Sequence, residues 1–157
     1  MLNLDEFSRG GTICFSKAGL KIGNSDAKDV DIAAPNGAGV DFAINGVVYH
    51  KADAADIAIT AATAQGLLRT CIYLVCLSTA GALTTVKGTA QLTADLVAGN
   101  EVLDFPQPTA DTCCIGYLHV VTASSANFTA GTTDLDASNV TTTYVDVTNV
   151  PVAPLTS

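Results

Sequence analysis

The chain has 157 residues, enough for one domain with a real core. Hydrophobic residues make up 48% and charged residues only 14%, well under the roughly 25% of ordinary domains, so much of the surface is small and polar or lies against other chains. With a net charge of −8 and seven scattered cations there is no basic stripe, which excludes nucleic acid and anionic membranes as expected partners; no apolar run approaches the ~20 residues that span a bilayer.

Residues 1–23 sustain neither a helical nor a strand period. Asp5, Glu6, Arg9, Lys17 and Lys21 surround isolated apolar residues, and the segment reads as an extended N-terminal arm that folds against a neighbour, with a first strand as the alternative. The contact residues expected of that arm are Leu4, Phe7, Ile13, Phe15 and Leu20. Its first six residues lack a basic region and an apolar stretch, which predicts synthesis in a reducing cytosol with free thiols.

A β domain is expected over 24–150. Val30 and Ile32 alternate with Asp29 and Asp31, and the run stops at Pro35-Asn36-Gly37. Asn45-Gly46 sits between two apolar runs and predicts a two-residue type I′ turn, because both central positions need positive φ. That turn pairs Ile44 with Val47, Phe42 with Tyr49 and Asp41 with His50. Val40, Phe42, Ile44, Val47 and Tyr49 then share the core face.

Ala52–Gln65 is Ala-rich and reads as a loop or a short helix. Cys71–Leu77 is an unbroken apolar run, the mark of a strand buried on both faces, and Thr79–Ala82 turns it back into Leu83–Gly88. Glu101–Phe105 reads as a short strand ending at Pro106. Ile115–Thr122 and Thr141–Val147 are the last two strands, and 151–157 forms an extended C-terminal tail. About seven short strands with Gly, Pro and Asn punctuation predict an all-β, antiparallel sandwich or barrel, jelly-roll-like.

No catalytic, cofactor or metal site is expected. His50 opposite Asp41 has the geometry of a base and its orienter, but no Ser or Cys lies in a nucleophile motif, and a cross-strand polar pair accounts for both. His119 is in phase with Ile115, Tyr117 and Val121 and reads as a partly buried or interface histidine. Asp134, Asp136 and Asn139 lack the glycine and distal Glu of a calcium loop and read as turn residues. Cys71 and Cys76 lie an odd number of residues apart and face opposite ways on one strand, as do Cys113 and Cys114; all five cysteines read as buried structural thiols.

Taken in order, Phe42–Tyr49, Ile72–Val75 through Thr79-Ala80-Gly81 to Val86-Lys87-Gly88, Ile115–Val120, Phe128–Leu135 and Thr142–Val147 form a series. That series resembles the small structural proteins that decorate, or cement, the capsids of tailed bacteriophages. The resemblance covers roughly residues 20–148, and the pair Cys113-Cys114 departs from it. It implies a β-rich protein on the outer capsid surface of the virion, with the major capsid protein and its own copies as partners, as a homotrimer in preference to a dimer. The alternative is a head-fibre or tail-associated module that binds host-surface glycans. Against this stand the absence of Trp and the 6% aromatic content.

Overall fold

The computed structural model describes residues 11–125, 127–151 and 153–155, and their regular secondary structure is almost entirely antiparallel β-strand. The first half is a three-stranded meander in which every strand is broken once. Strands β1 (Ile13–Cys14) and β2 (Leu20–Ile22) make the first leg, β3 (Asp29–Ile32) and β4 (Val40–Ile44) the second, and β5 (Val47–Lys51) and β6 (Ala54–Ala58) the third. The pairing order is β1-β4-β5 on one side of the breaks and β2-β3-β6 on the other, so the two short sheets are halves of one bent sheet. The bend requires glycine. Gly19 and Gly39 have φ of 62° and 99°, and a Cβ on Gly19 would sit 2.0 Å from the Ala33 carbonyl oxygen, one on Gly39 2.2 Å from that of Lys51.

The Asn45-Gly46 turn forms as expected, with φ of 52° and 80°, and the register Ile44–Val47, Phe42–Tyr49 and Asp41–His50 holds. Val40, Phe42 and Ile44 are buried and Tyr49 is half-buried, stacked on Phe42 at 5.8 Å. Val47 differs from expectation: beside the turn it overhangs the edge of the core and is 55% exposed.

The second sheet is built on two long central strands, β7 (Arg69–Ser78) and β10 (Thr112–Thr122), flanked by β8 (Leu83–Lys87) and β11 (Val140–Asp146), with β9 (Gln91–Leu92) on the end of β7. Its inner face packs on the bent sheet. Cys71, Tyr73, Val75 and Leu77 of β7, with Cys113, Ile115, Leu118 and Val120 of β10, join Phe42, Val30, Ile32, Phe128 and Leu135 in the main core. Cysteines 71 and 76 do face opposite ways, as do 113 and 114: Cys76 and Cys114 belong to a second cluster on the outer face with Ile72, Leu74 and Tyr117. A bulge in β10 between Cys114 and Gly116 places one extra residue opposite β7.

The outer face is covered by irregular chain. Helix α1 (Thr93–Val97) supplies Leu96, the following coil supplies Leu103 and Phe105, and Val150 and Leu155 come from the C-terminal segment. Phe105 meets Tyr117 edge-on at 5.1 Å.

Several expectations change here. Ala54–Ala58 is a strand rather than a loop or helix, because its backbone completes the sheet against β3. Glu101–Phe105 forms no strand: Leu103 alone bridges Leu155, each N–H donating to the other's carbonyl. The same two bonds dock the tail on the outer face, so as far as Leu155 it is not a free extension.

The boundary of the N-terminal arm also moves. From Gly11 onward the chain is tied into the sandwich. Cys14 N–H donates to the Thr148 carbonyl (2.9 Å), and the amides of Gly19 and Leu20 both donate to the Asp146 carboxylate (3.1 Å each). These bonds seal one edge of the sandwich. At the other edge Thr60 and Thr85 exchange amide-to-hydroxyl bonds of 3.0 and 2.9 Å.

Candidate interaction surface

Strand alternation sets what the bent sheet shows to solvent. With Phe42 and Ile44 inward, Asp41 and Ala43 face out, and register carries that face across three strands. Ile13 lies opposite Ala43, and Ala43 opposite Val48, which makes one apolar row whose outer members are exposed and whose central Ala43 is only 3% exposed. Next to it, Phe15 N–H donates to the Asp41 carbonyl and Asp41 pairs with His50. Ile13, Phe15 and Val48 are 39%, 56% and 65% exposed, large values for apolar side chains gathered on one rigid face.

The five arm residues therefore separate. Leu4 and Phe7 lie outside the described residues. Ile13 and Phe15 sit on the outer face, but as part of the sheet rather than of a free arm. Leu20 does not belong with them: it is 7% exposed and packs inward, in the main core. The cause is the grip of Asp146 on the Gly19 and Leu20 amides, which turns β2 against β11. Val48 is the member that sequence reasoning missed. Its signal was present in the hairpin register, which puts it in phase with Asp41 and Ala43 on the face away from Phe42.

His50 and Asp41 are hydrogen-bonded at the rim of this face, Nδ1 to Oδ1 2.7 Å, with both side chains about half exposed. Ser16 Oγ is spoken for: it accepts the Asp41 N–H at 3.1 Å. The arrangement has the orienting half of a catalytic triad, and its hydroxyl bonds to backbone instead of to the imidazole.

A second apolar feature lies on the outer face of the long sheet. Thr70, Thr93, Leu96, Leu103, His119 and Leu155 line a cleft of about 290 Å³. Thr70 and Thr93 hydroxyls bond to each other at 2.9 Å. His119 is half-buried there, as its phase predicts, and loss of hydration lowers its pKa below the ordinary imidazole value. Beside the cleft, Leu68, Leu92 and Val97 are exposed.

All five cysteines are free and buried. Burial raises the Cys71 thiol to about 11 and the Cys113 thiol to about 12, with smaller contributions from their neighbours. Cys76 and Cys114 behave as a pair: the hydrogen bond between them lowers Cys76 and raises Cys114, and burial raises both. Among the described residues no group of three or more His, Cys, Asp or Glu is placed to hold a metal ion. Asp134 and Asp136 stand in a turn anchored by buried Leu135, whose N–H donates to the Ala27 carbonyl. No protein-family model, no curated protein and no solved structure matches this chain.

Proposed function

We propose that the protein is a capsid decoration protein of a tailed bacteriophage, which binds the outer surface of the shell and reinforces contacts between capsid subunits. The observation that carries this reading is the exposed pair Ile13 and Val48, on either side of covered Ala43, with Phe15 beside them, on a sheet held rigid by its own core. The proposed role is structural and uses no catalytic group.

Three such side chains, each worth at most roughly 1.5–3 kcal/mol when fully buried, do little more than offset the estimated cost of association of about 4 kcal/mol or more, so one such contact is weak. A single weak contact is useless on a shell. Repeated around a symmetry axis, linked contacts gain orders of magnitude in affinity without any strong site, which favours a homotrimer over a lone subunit. Glycan binding is less well supported, since Phe15 is the one aromatic among the exposed large apolar residues described.

The test is light scattering of the purified protein, followed by mixing with empty tailed-phage capsids. The expected result is a trimer that binds at a stoichiometry matching local symmetry axes. Val48→Asp should weaken capsid binding at least about tenfold, a loss of ~1.4 kcal/mol per site, with the thermal midpoint nearly unchanged. A monomer indifferent to capsids would overturn the reading.

A further inference from the structure

Cys76 and Cys114 lie directly opposite each other on the two central strands, β7 and β10, and both side chains point to the outer face. Whether such a pair can be joined depends on its place in the ladder. On β7 the Ser78 N–H donates to the Ala82 carbonyl, and the Ile72 carbonyl accepts from Gly88 N–H. Even-numbered residues of β7 thus turn their backbone groups towards β8. Cys76 is even-numbered, so with respect to β10 it forms a non-hydrogen-bonded pair, where opposed Cα atoms approach to about 4.5 Å and side chains are closest. That separation falls at the short end of the range a disulfide spans.

The other cysteines are placed differently. Cys113 and Cys114 point to opposite faces of one strand, and Cys71 and Cys113 belong to the inner core. Access differs too. Cys113 and Cys114 both line a cavity of about 240 Å³ open to solvent between Pro108, Thr112 and Val150, Cys114 being 5% exposed and Cys113 1%, whereas Cys71 lies away from it.

We propose that Cys76 and Cys114 form an oxidative modification site: a two-electron oxidant reaching Cys114 through this cavity converts the two thiols into a cross-strand disulfide. Two S–H bonds break and one S–S bond forms. Two protons and two electrons pass to the oxidant; with a diazene such as diamide, the product is the hydrazine. The link would tie together the two strands on which both cores are built, leaving the inner core and the exposed row on the bent sheet untouched.

The experiment treats the native full-length protein with diamide, blocks the remaining thiols, and maps disulfide-linked peptides by mass spectrometry without reduction. Trypsin cuts after Lys87 and so separates Cys71 and Cys76 from Cys113 and Cys114 unless they are linked, and fragmentation of the joined peptides, in which the two unlinked cysteines carry the blocking group, assigns the bond. The expected result is loss of two of the five thiols and a peptide pair joined through Cys76 and Cys114. Cys113→Ser should retain the link and Cys114→Ser should lose it. Five thiols surviving in the folded protein, or a link through Cys71 or Cys113, would overturn the proposal. The map of the unmutated protein decides the matter even if a variant fails to fold.

Discussion

The two faces of the long sheet are built from the same strands and closed in different ways. The inner face meets another sheet, so each of its side chains is held by a register set on both sides. The outer face meets coil, one short helix and a docked tail, joined to each other by the two bonds between Leu103 and Leu155. Sheet against sheet fixes the core atom by atom, whereas coil against sheet leaves a cover that can shift. The cleft at His119 and the cavity at Cys114 both lie under that cover.

The comparison breaks most sharply on matched leucines. Leu118 is fully buried between the sheets, and Leu103, 3% exposed, is the coil's own contact with the outer face. Leu→Ala removes the same atoms at both, and the measured cost depends on how far the site collapses. Leu118→Ala is expected to cost about 4–5 kcal/mol, and Leu103→Ala about 2–3 kcal/mol because the coil can settle into the gap. Denaturant unfolding measures both. Equal costs would mean that the outer cover is as rigid as the inner sheet.

A smaller effect sharpens the boundary between the faces. At the bulge Gly116 turns inward, where a Cβ would sit 2.4 Å from Leu20 Cδ1 and 2.5 Å from the Val145 carbonyl oxygen. The leucine can move, but the carbonyl belongs to the β10–β11 ladder and cannot without breaking it. Gly116→Ala should cost about 2–3 kcal/mol by overpacking, read from the thermal midpoint. A neutral substitution would show that β11 is free to shift away from the core.

The same contrast governs what the sequence made legible. Asn45-Gly46 announced its hairpin because a two-residue turn with positive φ is a local requirement, and register followed from it. The run Cys71–Leu77 announced a strand buried on both faces because no position in it was polar. Strands β1 and β2 were hidden for the opposite reason. They are two and three residues long, and bonds from Thr148 and Asp146, over a hundred residues away, hold them in place. Strand β6 was masked by its alanines, which fit a helix until β3 offers an edge. Buried Asp31 follows the same rule: alternation makes it solvent-facing, but it accepts the Asn24 and Asp56 N–H groups and pairs with Lys21. Ile13 and Phe15 were found by composition, and their grouping with Val48 needed the register of three strands.

The smallest expected effect concerns how dry the outer cleft is. Among the described residues lining it only His119 is ionisable, and desolvation lowers the His119 pKa in the folded protein. An ordinary imidazole titrates near about 6.5, so as pH falls the unfolded chain takes up this proton first. The contribution is therefore fully present above about pH 6.5 and is lost as pH falls from there towards the lower folded value. Thermal melts of the parent and of His119→Gln at about pH 7.5 and about pH 5.5 isolate this contribution, since other groups titrate alike in both proteins. The parent should lose more of its midpoint than the variant does. Equal losses would mean that water already reaches the imidazole, and that the cover over the outer face stands open around α1 even where Leu103 and Leu155 are bonded.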